Sequence, residues 1–343
     1  MTIETTPSLL AAVLRGGTLS RRGVLRAAGA AATVAPAGLF GVRAWAQPKK
    51  KVVFAWSQSG YCQTPIPVAI ERGFFEKNGV EVESLNWAGS ADQLLEALAT
   101  GKADVGAGLI HRWLKPLEAG FDVKVVSSIH GGCLRLVGVK AAGITDTRQL
   151  KGKVIGVSDL NSPAKNFFDI HLTKKKIEGY EFRVYPADLL DVAAKKGEIQ
   201  AIADGDPNVY LIEKRNQGAF VEIGNSGTGE YAEKLCCVIA ARGELLRKDK
   251  ATAAAVVRAL SQASDFVAEN PRESARIYAK FSKVTEDELQ ALLHTTNYAH
   301  HPVGRNLRNE VEFFAQDFRT AGILKKTTDP ARFADTVTLD VLA

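Results

Sequence analysis

Between Val52 and Ala240 short apolar runs alternate with amphipathic ones, twice over, before the chain turns wholly helical. Strands are predicted over 52–56, 81–87, 103–109, 123–129 and 134–140, and helices over 65–77, 91–100 (capped by Ser90) and 111–119. The second round predicts strands over 153–158, 182–185, 199–203, 220–223 and 235–240. Its helices begin after Ser162, cover 189–196 and start at Pro207. From Lys250 onward the periodicity is helical, over 251–269, 272–281, 286–293 and 307–321. Strands alternating with helices imply mostly parallel sheets covered on both faces. Two such rounds predict an α/β protein of two lobes with a helical C-terminal tail. Ligands of open α/β sheets bind beyond the carboxyl ends of strands. That rule points to the turns after Trp56, Leu109, Ser158 and Ala203.

A formal charge of +6 raises the prospect of a nucleic-acid partner. The excess is local, because residues 1–46 carry Arg15, Arg21, Arg22, Arg26 and Arg43 against Glu4 alone, leaving the rest at +2. No nucleic-acid partner is therefore expected. The same segment reads as an export signal. Ser20-Arg21-Arg22-Gly23-Val24-Leu25-Arg26 precedes an Ala/Gly-rich apolar run over 27–42, which contains Pro36. The run falls short of the roughly 18 residues a membrane span needs, and small-x-small Ala44-Trp45-Ala46 follows as a cleavage site. The paired arginines resemble the twin-arginine signal, which predicts periplasmic delivery by that route.

Four cysteines, Cys62, Cys133, Cys236 and Cys237, lie beyond that segment. No C-x-x-C spacing is present, so nothing in the spacing announces a metal. On a strand, Cys236 and Cys237 point to opposite faces. A cluster of Cys62, Cys133, His111 and His130 is conceivable only if four distant residues converge.

Several segments are similar to one family. Pro65-Ile66-Pro67-Val68-Ala69-Ile70-Glu71-Arg72-Gly73-Phe74-Phe75-Glu76-Lys77-Asn78-Gly79-Val80-Glu81-Val82-Glu83 resembles a signature of periplasmic substrate-binding proteins. The group meant is the nitrate/sulfonate/taurine and thiamine-precursor one that serves ABC importers. Gly101-Lys102-Ala103-Asp104-Val105-Gly106, Leu150-Lys151-Gly152-Lys153-Val154-Ile155-Gly156-Val157 and Lys196-Gly197-Glu198-Ile199-Gln200-Ala201 match further motifs in order. The resemblance implies a hinged, two-lobed periplasmic binding protein type II fold. It divides the chain into 47–138 plus 239–343 in one lobe and 139–238 in the other. Its implied partners are a small-molecule solute and an inner-membrane ABC permease, with the receptor a monomer.

Four turns are expected to line the cleft. In the first, Ser57, Gln58, Ser59, Tyr61 and Cys62 offer hydroxyls, an amide and backbone N–H groups. In the second, Gly108 permits close backbone approach and His111 stands at a helix start. His130 and Cys133 flank two glycines in the third. Asn161 and Ser162 open a helix in the fourth, which in the family aims at an acidic group of the ligand. Arg112 is expected to be solvated. Asp206 suits an ammonium or caps the next helix.

The sequence lacks H-E-x-x-H, G-x-S-x-G and G-x-G-x-x-G. The expectation is a receptor with no catalytic activity, no cofactor and no bound metal. Its solute would be a small oxyanion or organosulfonate such as nitrate, an alkanesulfonate or taurine. A thiamine-precursor pyrimidine or an amine-bearing ligand is the alternative. An exported metal-binding or redox protein using Cys62, Cys133, His111 and His130 is the alternative of another class.

Overall fold

The computed structural model describes residues 49–87 and 91–343. The expected export signal and the Ser90 cap lie outside the described residues. Ten strands among them form two five-stranded sheets. The first is ordered β2-β1-β3-β10-β4, from β1 (Lys50–Trp56), β2 (Val80–Asn86), β3 (Val105–Leu109), β4 (Val123–Gly131) and β10 (Leu235–Arg242). The second is ordered β7-β6-β8-β5-β9, from β5 (Leu134–Val139), β6 (Val154–Val157), β7 (Glu181–Val184), β8 (Ala201–Gly205) and β9 (Phe220–Asn225). Each sheet is parallel except for one inserted strand. That strand is β10 in the first sheet, antiparallel to β3 and β4, and β5 in the second, antiparallel to β8 and β9.

The inserted strands show where the chain changes sheets. It leaves the first after Gly131 and enters the second at Leu134, and it returns between Asn225 and Leu235. Both changes precede the expected boundaries at 138/139 and 238/239, because β5 and β10 each belong whole to the sheet they enter. The two crossings run side by side. Leu134 N donates to Ser226 Oγ at 2.8 Å, and Ser226 N donates to Leu134 O at 2.9 Å. A Cβ on Gly132 would lie 2.3 Å from the Ser226 carbonyl carbon. Only glycine permits that approach.

Local chemistry explains most elements. Phe54, Ala55 and Trp56 of β1 are wholly buried, with Phe54 against Phe75 at 6.1 Å and Trp56 edge-on to Phe281 at 5.5 Å. The helix expected over 65–77 is two helices, Pro65–Glu71 and Phe74–Lys77. Gly73 between them has φ 68°, a left-handed conformation that ends the first. Ser162 caps Pro163–Lys174, its Oγ accepting from Lys165 N at 3.1 Å. The helical tail packs back on the first sheet. Helix Lys250–Glu269 lies on Pro65–Glu71 and β4, and Gly304–Thr320 lies on β4. A closing helix, Pro330–Val337, extends the tail beyond the expected elements. No helix among the described residues is long and apolar enough to cross a membrane.

Candidate functional site

A cavity of about 260 Å³ opens where the two sheets face each other beside the crossings. Tyr61 from the turn after β1, with Leu292 and Thr295 from helix Glu286–Thr295, forms one wall. Gly132 and Cys133 of the first crossing lie at its base. Arg135 of β5, Glu222 and Asn225 of β9, and Asp206, Tyr210 and Glu213 around helix Asn208–Arg215 form the other wall. Larger depressions of about 620 and 560 Å³ lie on the helical tail, the second reaching Lys234 at the end of the return crossing.

Electrostatics on the second-sheet wall are one-sided. The Arg135 guanidinium reaches Glu222 Oε2 at 2.7 Å through Nε, Glu213 Oε2 at 2.8 Å through Nη2 and Asp206 Oδ1 at 3.4 Å through Nη1. Burial works against its charge, but the three carboxylates outweigh it and hold its proton more firmly than usual. One cation faces three anions, so the wall carries an excess of two negative charges. An incoming oxyanion would meet a guanidinium already shared three ways. Burial pushes the Asp206 carboxyl above the usual range, with Arg135 pulling the other way. Asp206 Oδ1 also accepts from Tyr210 N at 2.9 Å, so it caps the helix and pairs the arginine at once. Pro207 follows it through a cis peptide and precedes the helix instead of opening it.

Of the twelve expected site residues, Tyr61, Cys133 and Asp206 line this cavity. Cys62 and His130 lie buried outside its lining. Ser57, Gln58 and Ser59 are turned to other work. Ser57 Oγ and Ser59 Oγ are 2.8 Å apart, Ser57 N donates to Gln63 Oε1 at 3.2 Å, and Gln58 O accepts from Tyr278 at 2.7 Å. Gly108 makes room for an aromatic ring, since a Cβ there would lie 2.2 Å from Trp113. His111 is buried among Phe167, Phe314 and Phe318, so it is no exposed anion donor at a helix start. Asn161 N donates to Asp159 Oδ1 at 2.9 Å in an exposed turn, and Ser162 is spent on its cap. Arg112 is not solvated. It pairs Asp159 at 2.7 Å, joining a helix of the first sheet to a turn of the second.

The expected reading missed Tyr210, Glu213, Glu222 and Asn225. A signal for two of them was present, because Tyr210 and Glu213 stand three apart on one face of the helix that follows Asp206.

Beside the cavity the four cysteines converge. Cys62 Sγ lies 3.8 Å from Cys237 Sγ, and Cys133 Sγ lies 3.4 Å from Cys236 Sγ. All four are buried and free. A His130 ring nitrogen falls within 4.8 Å of the sulfurs of Cys62 and Cys237, and likewise of Cys133 and Cys236. Strict alternation would part Cys236 from Cys237. The pairing of β10 with β4 instead shifts register on both sides of Cys237, and such an irregularity re-aims side chains. His111 belongs to neither group of donors. Hydrogen bonds from Cys133 and Cys237 hold the Cys62 thiol well below its ordinary range against the effect of burial.

The comparisons agree on family and fold and differ on activity. The family described as NMT1/THI5 like matches residues 62–274. The 4-amino-5-hydroxymethyl-2-methylpyrimidine phosphate synthase of Uromyces fabae is 26% identical over 261 residues, 71% of this chain and 74% of that protein. The expectation of no catalytic activity is corrected by this likeness, since the relative is named as an enzyme. Among solved structures, the ligand-binding component of an ABC-type import system from Staphylococcus aureus, with zinc bound, superposes with a TM-score of 0.68. It is 17% identical, over 85% of this chain and 97% of that one. The alkanesulfonate-binding protein SsuA of Xanthomonas axonopodis pv. citri, bound to MOPS, gives 0.67 at 18% identity, over 83% and 97%. These two share the fold. By the match over most of its described length, the chain belongs to the NMT1/THI5-like family.

Proposed function

We propose that the cavity between the sheets binds a small amine-bearing solute, of the aminopyrimidine kind, and that the chain presents it to an ABC permease as an exported receptor. The single observation that carries this reading is the wall of Asp206, Glu213 and Glu222 around one saturated guanidinium. An exocyclic amine or protonated ring nitrogen gains from those carboxylates, whereas a phosphate or sulfonate is repelled. About 260 Å³ accommodates one ring rather than a dinucleotide. Tyr210 offers an aromatic face and Asn225 an amide beside the acids. Hinged closure would follow, because contacts to both walls exist together only in the closed state.

A thermal-shift screen tests it. A ligand at about 100 times its dissociation constant adds about 2.7 kcal/mol of stability. The expected result is a raised Tm with a hydroxymethyl-aminopyrimidine or a small diamine, and none with nitrate, taurine or alkanesulfonates. The reverse pattern would overturn the reading. A second reading, chemistry performed on the bound ring, is favoured by the likeness to a pyrimidine phosphate synthase. It is tested by looking for a product in the ligand-loaded protein.

A further inference from the structure

We propose that one thiophilic d10 metal ion, zinc(II) or copper(I), draws its ligands from His130 and the four thiols of Cys62, Cys133, Cys236 and Cys237. The inference is independent of the cavity's ligand.

Three observations carry it. The first is convergence. The donors come from the turn after β1, the end of β4, the first crossing and β10, and they close into two triads, Cys62–His130–Cys237 and His130–Cys133–Cys236. The second is spacing. Two sulfurs held about 2.3 Å from a tetrahedral ion lie about 3.8 Å apart, the separation of Cys62 and Cys237. Neither pair is at the roughly 2.05 Å of a disulfide. The third is the imidazole. His130 Nδ1 contacts the Gly131 carbonyl oxygen, which can only accept, so Nδ1 carries the proton and Nε2 the lone pair. That Nε2 is buried and has no hydrogen-bond partner. A buried lone pair left unused requires an explanation. A histidine whose outer nitrogen is fixed by a carbonyl is the arrangement seen around metal ligands.

Both triads share His130, and one lone pair serves one ion, which sets the stoichiometry. Thiolate and imidazole donors select soft or borderline cations over magnesium or calcium. Cys133 lines the cavity as well as the cluster, giving an ion a path inward.

The test uses the full chain, reduced and freed of metal without air, and titrated with cobalt(II) alone as a chromophoric probe. The expected result is an intense near-ultraviolet sulfur-to-cobalt band with tetrahedral visible bands. They should saturate at one equivalent and be bleached by one equivalent of zinc. Cys62→Ser and Cys236→Ser should each weaken the near-ultraviolet band, and His130→Asn should lower cobalt affinity at least tenfold. Circular dichroism confirms that each variant is folded. Should a variant fail to fold, thiol counting on the wild-type protein decides instead. Zinc is expected to protect the four thiols from alkylation. Four thiols that react equally with and without zinc, or an air-stable mass lacking the hydrogens of two disulfides that reforms despite zinc, would overturn the proposal.

Discussion

The two sheets have the same strand order and opposite chemistry. In each, three strands are joined by parallel pairing, and an antiparallel strand is inserted before the fifth. Yet the second sheet and its helices bring Arg135, Asp206, Glu213 and Glu222 to the cavity, while the first brings Tyr61 and the cysteine-bearing strand ends. Topology positions a site, and the residues at strand ends choose what it does. On the first side Trp113 and the residues around it are buried and apolar, so their perturbations are packing effects. The second is charged, so its perturbations are electrostatic.

Trp113→Ala breaks that contrast on the first side. Trp113 is fully buried and fills the space left by Gly108. Its removal should cost about 3–5 kcal/mol, read as a lower urea midpoint, without changing salt dependence. Arg135→Met breaks it on the second side. Three carboxylates would then face each other without their shared cation. The loss should be about 3 kcal/mol, at the low end for a buried pair because Arg135 keeps some exposure. It should shrink in high salt and on adding Glu213→Gln. A salt-independent loss would mean that Arg135 acts by packing.

Acid should separate the sides further. His171 stacks near Phe167, Phe168 and Tyr231 on the second side. Burial, with Lys175 adding, lowers its pKa from 6.5 to about 4. Between those values the unfolded chain takes up a proton that the folded one refuses. Stability should therefore fall as pH drops from about 6.5 toward 4, by about 1–2 kcal/mol once partial exposure is allowed for. His171→Gln should flatten that slope in urea titrations.

Much of the fold was legible because the period of apolar residues changes from two to 3.6 and back at every strand–helix junction. The break at Gly73 was hidden, since Phe74 and Phe75 continue the apolar pattern past it. The site was less legible. Strand-end turns pointed to Tyr61, Cys133 and Asp206, but Arg135 projects from the inserted antiparallel strand β5, to which that rule does not apply, and Glu222 from within β9 rather than from the turn after it. Convergence of Cys62, Cys133, Cys236 and Cys237 follows no local spacing. The alternation that argued against it holds for a regular strand and fails at the register shifts around Cys237.

The smallest predicted effect tests how the sides are coupled. Arg112 and Asp159 bridge them at 2.7 Å, but the arginine side chain is 12% exposed and the carboxylate 43%. A pair half in water gains little net energy, because screening and lost side-chain freedom offset the Coulomb attraction. A double-mutant cycle with Arg112→Met and Asp159→Asn should give a coupling of about 0.2–1 kcal/mol that fades in 1 M salt. Burial opposes the charge on Asp159, but the Asn161 N–H and Arg112 prevail and lower its pKa. The coupling should therefore persist down to about pH 4 and vanish as the carboxylate is protonated below that. A coupling above about 2 kcal/mol, unmoved by salt, would show that the two sides are locked by this pair rather than joined across it.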